Sequence, residues 1–105
     1  MRVAISTLGA TIVCVYTPDR NGVWADIALG FDTPADYLEK PGCLGATIGR
    51  YAGRIANGAF PLNGHMVKLA TNRGCHTIHG GPEGFHRHLW SVCSQSETRL
   101  ELRLY

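Results

Sequence analysis

The sequence has no long apolar run, since its longest uncharged stretch, Val3 to Pro18, is broken by Ser6, Thr7 and Gly9. A helix that crosses a bilayer needs roughly 20 predominantly apolar residues, so no transmembrane helix is expected. A secretory leader is not expected either, because Arg2 is followed by alternation rather than a solid apolar block ending in small residues. We therefore expect a cytoplasmic protein without a membrane partner. Basic residues are also few, 10 Lys+Arg against 8 Asp+Glu for a formal charge of +2. Phosphate-backbone binding needs a dense basic stripe, so nucleic acid is not an expected partner. Close cysteine pairs are missing as well. Cys14, Cys43, Cys75 and Cys93 lie far apart with no C-x-x-C, which suggests neither a zinc knuckle nor a redox motif. An even count permits two disulfides without requiring them, and buried or idle thiols are the default reading.

What is present is the balance of an ordinary globular chain. Apolar residues make up 45% and charged residues 17% of 105 residues, enough for one domain that wants a core. Short stretches rich in β-branched and aromatic residues recur between Gly, Asn, Asp and Pro, an all-β rhythm. Val3 to Ser6 and Ala10 to Tyr16 read as strands around Gly9, and Pro18 to Gly22 supplies turn chemistry before a third strand, Val23 to Leu29. Thr33 followed by Pro34 predicts one helical turn, the only helix expected. Asn63-Gly64, flanked by Phe60 to Leu62 and Met66 to Leu69, predicts a tight hairpin. From Asn72 to Arg87 the pattern is that of a long surface loop, the place to look for a site. Leu89 to Cys93 and Thr98 to Tyr105 close the chain as a strand pair, with Leu100, Leu102 and Leu104 alternating against Arg99, Glu101 and Arg103.

Three clusters could carry chemistry: Gly49 to Gly58, His76 to Gly81, and Gly84 to Trp90. Arg54 could offer its planar fork of donors to hydroxyls or a carboxylate, although a solvated or ion-paired arginine is the plainer reading of its spacing. His79 precedes Gly80 and Gly81, which permit close approach of a ligand or backbone while the imidazole donates or accepts. Gly42, Gly45 and Gly49 match no phosphate-loop spacing and read as turns and tight packing. Cys75, His76, His79, His86 and His88 have the right donor types for a metal, but no standard zinc spacing is met and Glu83 is the sole nearby carboxylate, so no metal is expected. Trp24 and Trp90 could stack on a sugar, but in short strands core positions are more usual.

Six segments, Ile5 to Ala10, Pro18 to Gly22, Leu29 to Asp32, Gly49 to Ile55, Leu62 to Gly64 and His79 to Gly81, together resemble the aldose 1-epimerase family in order and spacing. The resemblance implies an all-β fold, an antiparallel β-sandwich of the galactose mutarotase type, present here only in part. On that reading residues 1–105 are the amino-terminal portion of one incomplete domain, in keeping with strands that start by the third residue and reach Tyr105. The implied reaction interconverts the α and β anomers of an aldose such as galactose or glucose by acid/base ring opening, without cofactor or metal. Its partner is a small-molecule aldose. The family's catalytic glutamate and histidine are expected downstream, leaving no catalytic residue in this chain and an isolated chain that is inactive. Arg54 and His79 match the family's sugar-contacting residues and are expected to bind substrate. The chain departs from the usual pattern at Gly53, where Asn is common, at Cys75 and His76, where Pro and Asn are usual, and at His86, where Asp or Asn is frequent. A non-catalytic carbohydrate-binding module is the alternative function.

Overall fold

The computed structural model describes residues 1–40 and 42–105. The order of elements is β1 (Arg2–Ser6), β2 (Thr11–Pro18), β3 (Trp24–Asp26), α1 (Asp36–Glu39), β4 (Arg54–Ile55), β5 (Ala59–Leu62), β6 (His65–Lys68), β7 (Thr77–Ile78), β8 (Ser91–Gln95) and β9 (Leu100–Arg103). Every strand pair among the described residues is antiparallel, in one three-stranded sheet, β1-β2-β3, and three ribbons, β4-β7, β5-β6 and β8-β9. The all-β expectation holds. Short 3₁₀ turns at Ala56–Gly58 and Phe85–Arg87 were not foreseen, since single turns carry no amphipathic period.

The third strand is shorter than expected and stops at Asp26 rather than Leu29. There the Asp26 carboxylate accepts from Val15 N at 2.8 Å and from Ala28 N at 3.0 Å, so after Ile27 N donates to Val15 O at 3.0 Å side-chain bonds take over from the ladder. The expected helical turn forms but starts at Asp36, after Ala35, rather than at Pro34; the Thr33 hydroxyl accepts from Asp36 N at 3.3 Å just ahead of it. The Asn63-Gly64 hairpin is present with Leu62 opposite His65, and Asn63 and Gly64 take φ of 50° and 80°, the positive values a mirror-image two-residue turn requires. Inside the expected long loop, the chain builds β7 and one 3₁₀ turn. Before β8, Leu89 bridges to Leu8, and Trp90 N donates to Thr7 O at 2.8 Å, which ties the final ribbon to the β1-β2 turn.

The expected core does not form. No apolar side chain is buried among the described residues; the buried polar ones are Thr11 and Thr77, each 2% exposed. A bulge between Ala4 and Ile5 shifts the β1-β2 register, so that Val3 opposes Val15 and Ile5 opposes Ile12. Directly opposed residues share a face, and this one is wholly apolar yet open, with Val3 45%, Ile5 37% and Ile12 41% exposed. The radius of gyration is 16.8 Å, against about 13 Å for a compact domain of this length. The accessible surface is 7823 Å², where a compact monomer of this mass exposes roughly 5,800 Å². Trp24, read from the sequence as core, is 50% exposed on the sheet edge, with the Arg2 guanidinium 5.7 Å from its ring. The correction has a plain physical cause: a three-residue edge strand has no opposing layer to bury an indole.

Candidate functional site

Two of the three chemical clusters meet at the β4-β7 ribbon. Arg54 pairs with Ile78 and Ile55 with Thr77, which sets the Gly49 to Gly58 segment against His76 to Gly81. The buried Thr77 hydroxyl donates to Ala70 O at 2.8 Å and anchors β7 from behind. After Ile78 the chain reverses in a turn closed by Gly81 N on Ile78 O at 3.0 Å, with φ of 54° at His79 and 88° at Gly80. This is the conformation of the Asn63-Gly64 turn, carried here by a histidine. Glycine is required at position 80 twice over, by its positive φ and because a Cβ there would overlap the Gly49 carbonyl oxygen. His79 N donates to Gly53 O at 2.9 Å, and Gly53 N donates back to His79 Nδ1 at 3.2 Å.

Arg54 and His79 both line an open cavity of about 1150 Å³, somewhat larger than a typical small-molecule site. The third cluster supplies an aromatic wall. Phe85 and Trp90 meet edge to face at 5.5 Å, Trp90 Nε1 donates to Phe85 O at 3.2 Å, and the Arg50 guanidinium lies 5.5 Å from the Phe85 ring centre. Trp90 is thus half-buried at the cavity rather than in a core. Leu102 and Leu104, from the apolar side of the last alternating segment, form another part of the lining. Arg50, Arg54 and Arg103 face this space against one carboxylate, Glu83, and no ion pair among the described residues involves Arg54. Arg54 thus lines the cavity together with His79, Phe85 and Trp90, in a wall that is otherwise largely apolar through Ile55, Phe60, Leu69, Leu102 and Leu104; hydrogen-bond donors beside aromatic rings can hold a ligand that carries both hydroxyls and an apolar face.

The metal-type residues are not gathered. Among the described residues no group of three or more His, Cys, Asp or Glu could hold a metal ion. His76 Nδ1 accepts from Asn57 N at 3.1 Å, with Cys75 Sγ 3.6 Å from its Nε2, while His88 Nε2 contacts the Glu83 carbonyl at 3.1 Å. His86 Nδ1 is buried without a partner. Burial lowers the His86 pKa below the ordinary histidine value, and the nearby charges of Arg87, His79 and His88 lower it further. All four cysteines are free thiols, with Cys75 and Cys93 exposed rather than buried. Half-buried Cys43 has its thiol pKa pushed up by desolvation. Gly42, Gly45 and Gly49 form no common cradle; a Cβ on Gly45 would overlap Ile12 O and one on Gly49 would overlap the Phe85 ring, whereas Gly42 faces open space. No helix among the described residues is long and apolar enough to cross a membrane.

The family model for aldose 1-epimerase matches residues 1–105, the whole chain. The chain belongs to the aldose 1-epimerase family. Among its relatives, galactose mutarotase of Bos taurus is 45% identical over 91 residues, which are 87% of this chain and 27% of that protein. Aldose 1-epimerase of Escherichia coli (strain K12) is 36% identical over 100 residues, 95% of this chain and 29% of that protein. A crystal structure of a GalM/aldose epimerase homologue from C. elegans superposes with a TM-score of 0.88 at 32% identity, over 95% of this chain and 31% of that one. This aldose 1-epimerase family chain thus spans less than a third of the length of these relatives, and its mostly-strand architecture follows theirs.

Arg54 and His79, both expected from the sequence, line one cavity. Asn72, in the segment that the sequence pattern gives as loop, is an additional residue of the site: its Oδ1 accepts from Ile78 N at 2.8 Å. Phe85, in the aromatic wall, is another. The signal for Phe85 lay in the Gly84 to Trp90 cluster, where an aromatic pair five residues apart flanks the histidines.

Proposed function

We propose that this chain is the amino-terminal portion of an aldose 1-epimerase domain and supplies the substrate-holding wall of its sugar site. Arg54 and His79 hydrogen-bond sugar hydroxyls and hold the ring, while the glutamate and histidine that move protons belong to the remainder of the domain. The observation that carries this reading is the convergence of Arg54 and His79, 25 positions apart in sequence, on one cavity beside Phe85 and Trp90. Ring opening requires a base at the anomeric hydroxyl and an acid at the ring oxygen, each worth roughly 10²–10⁴-fold, and it requires the sugar to be fixed between them. Fixing is the task of this wall. No cofactor or metal enters the proposed reaction.

The test is galactose mutarotation by polarimetry in an enzyme that continues this sequence to the length of its relatives. Arg54→Ala and His79→Ala each lower kcat/KM by roughly 10- to 100-fold, the loss of one charge-assisted or well-made hydrogen bond in the site. An unchanged kcat/KM in His79→Ala would sink the assignment. The 105-residue chain alone leaves mutarotation at the buffer rate, and acceleration by it would refute the division of labour. Galactose binding to this chain without turnover, followed by tryptophan fluorescence, separates the holding role from catalysis and is the outcome that the carbohydrate-binding reading shares.

A further inference from the structure

We propose that Asn72 is a positioning residue for His79, acting through the backbone of Ile78; the inference deepens the sugar-site reading and rests on it. The ribbon pairs Arg54 with Ile78, and His79 N donates to Gly53 O at 2.9 Å. In an antiparallel ladder a bond at that place brackets a non-hydrogen-bonded pair, so both polar groups of the Ile78 backbone point away from β4. The Asn72 side chain meets both: Oδ1 accepts from Ile78 N at 2.8 Å, and Nδ2 donates to Ile78 O at 3.0 Å. These partners fix which way the amide points, because an N–H needs an acceptor and a carbonyl needs a donor. One side chain stands in for a third strand beside a two-residue ladder.

The consequence falls on the next residue. Ile78 O also accepts from Gly81 N at 3.0 Å, which closes the turn holding His79 at φ 54°. Positive φ is uncommon for a side chain with a Cβ, and such a conformation persists only where its surroundings over-determine it. Here the surroundings are Asn72 on one edge and Gly53 on the other. Gly53 N donates to His79 Nδ1, and a ring nitrogen that accepts carries no hydrogen, so the neutral imidazole bears its hydrogen on Nε2. By holding Ile78, Asn72 keeps the imidazole where Gly53 N sets its tautomer, and Nε2–H becomes a fixed donor for a ligand oxygen. A residue that merely stabilised the chain as a whole would, on removal, disturb the β8 and β9 backbone along with that tautomer.

The experiment uses the 105-residue chain labelled with ¹⁵N in histidine, at a pH of about 8, where an ordinary imidazole is neutral. His79→Gln identifies the signals. In long-range ¹H–¹⁵N spectra the unaltered chain shows His79 with Nδ1 bare and Nε2 protonated. Asn72→Ala moves this pair toward a mixed-tautomer average while the amide signals of β8 and β9 stay in place, and it weakens galactose binding roughly tenfold, the equivalent of one lost hydrogen bond. Asn72→Asp keeps the acceptor for Ile78 N but loses the donor to Ile78 O, and falls between the two. It becomes the deciding variant if β8 and β9 lose their dispersed amides in Asn72→Ala. An unchanged His79 tautomer in these variants overturns the proposal, as does a His79 in the unaltered chain that is averaged or protonated on Nδ1. The expected tautomer changes in a chain that never binds galactose support the positioning role and overturn the sugar-site reading instead.

Discussion

Alanine at Gly80 and alanine at Gly64 look alike in sequence and should differ sharply in effect. Both glycines sit at the second position of a mirror-image turn, with φ of 88° and 80°, so each substitution meets the left-handed penalty of roughly 1–2 kcal/mol. Around Gly64 there is open space for a Cβ, whereas at Gly80 the Cβ overlaps Gly49 O and stands 3.1 Å from Gly84 Cα. Backbone atoms cannot swing aside as a flexible side chain can. Displacing them adds roughly 1–3 kcal/mol, so Gly80→Ala costs about 2–5 kcal/mol in total and Gly64→Ala stays near 1–2. Urea unfolding followed by tryptophan fluorescence measures both. At a slope of roughly 1 kcal/mol per molar urea for a small protein, the Gly80→Ala midpoint falls at least about 1 M further than that of Gly64→Ala. Gly80→Ala also loses galactose affinity, because it displaces the turn that carries His79, and Gly64→Ala does not. Equal midpoint shifts in the two variants would refute the claim that close backbone approach at Gly49 fixes the site turn.

Other expectations follow from single groups. Thr77→Val keeps the shape of a buried side chain but removes its bond to Ala70 O; it should cost roughly 1–2 kcal/mol in the same urea assay, and no measurable loss would mean that the hydroxyl does not anchor β7. His86 has its pKa lowered by burial and by neighbouring positive charge. Its neutral form is favoured on folding, so the contribution is fully present above the ordinary histidine pKa of about 6.5 and is lost as pH falls through the lower folded value. An NMR titration in which His86 protonates at or above the ordinary value would contradict this. Asp26 has its carboxyl pKa lowered by the N–H donors of Ala28 and Val15. Its contribution to β2-β3 pairing is present above the ordinary carboxylate pKa and disappears only as pH falls through the depressed folded value, a transition readable from the Val15 and Ala28 amide shifts.

Much of the architecture was legible because it rests on local rules. Asn63-Gly64 specifies its turn through the ease with which those residues take positive φ, and the Thr33 hydroxyl bonds the first N–H of the helical turn two residues later than Pro34 suggests. The turn at His79-Gly80 uses the same backbone conformation but was not legible, because what forces a histidine into it is non-local: Gly53, 26 residues away, holds the imidazole, and Asn72 holds the strand before it. Strand β7 escaped notice for a related reason, since two residues show no alternation. Trp24 and the expected core failed at a different level. Alternation says which face of a sheet is apolar but not whether a full layer lies on it, and none of Val3, Ile5, Ile12 and Val15 on that face is fully buried. For the site, the sequence led to Arg54 and His79 through resemblance, and the topology brings both to one cavity. Phe85 was signalled only by its place in the Gly84 to Trp90 cluster, and Asn72 is readable only from contacts.

The most direct test of the central claim is a titration of the 105-residue chain with galactose, observed through the backbone amide signals of every residue. The account predicts saturable shifts concentrated at Gly53, Arg54, His79 and Gly80, with the Trp90 indole signal moving alongside them and the β1-β2 hairpin unaffected. Saturable shifts centred elsewhere, or none at sugar concentrations that saturate an epimerase of full family length, would contradict it.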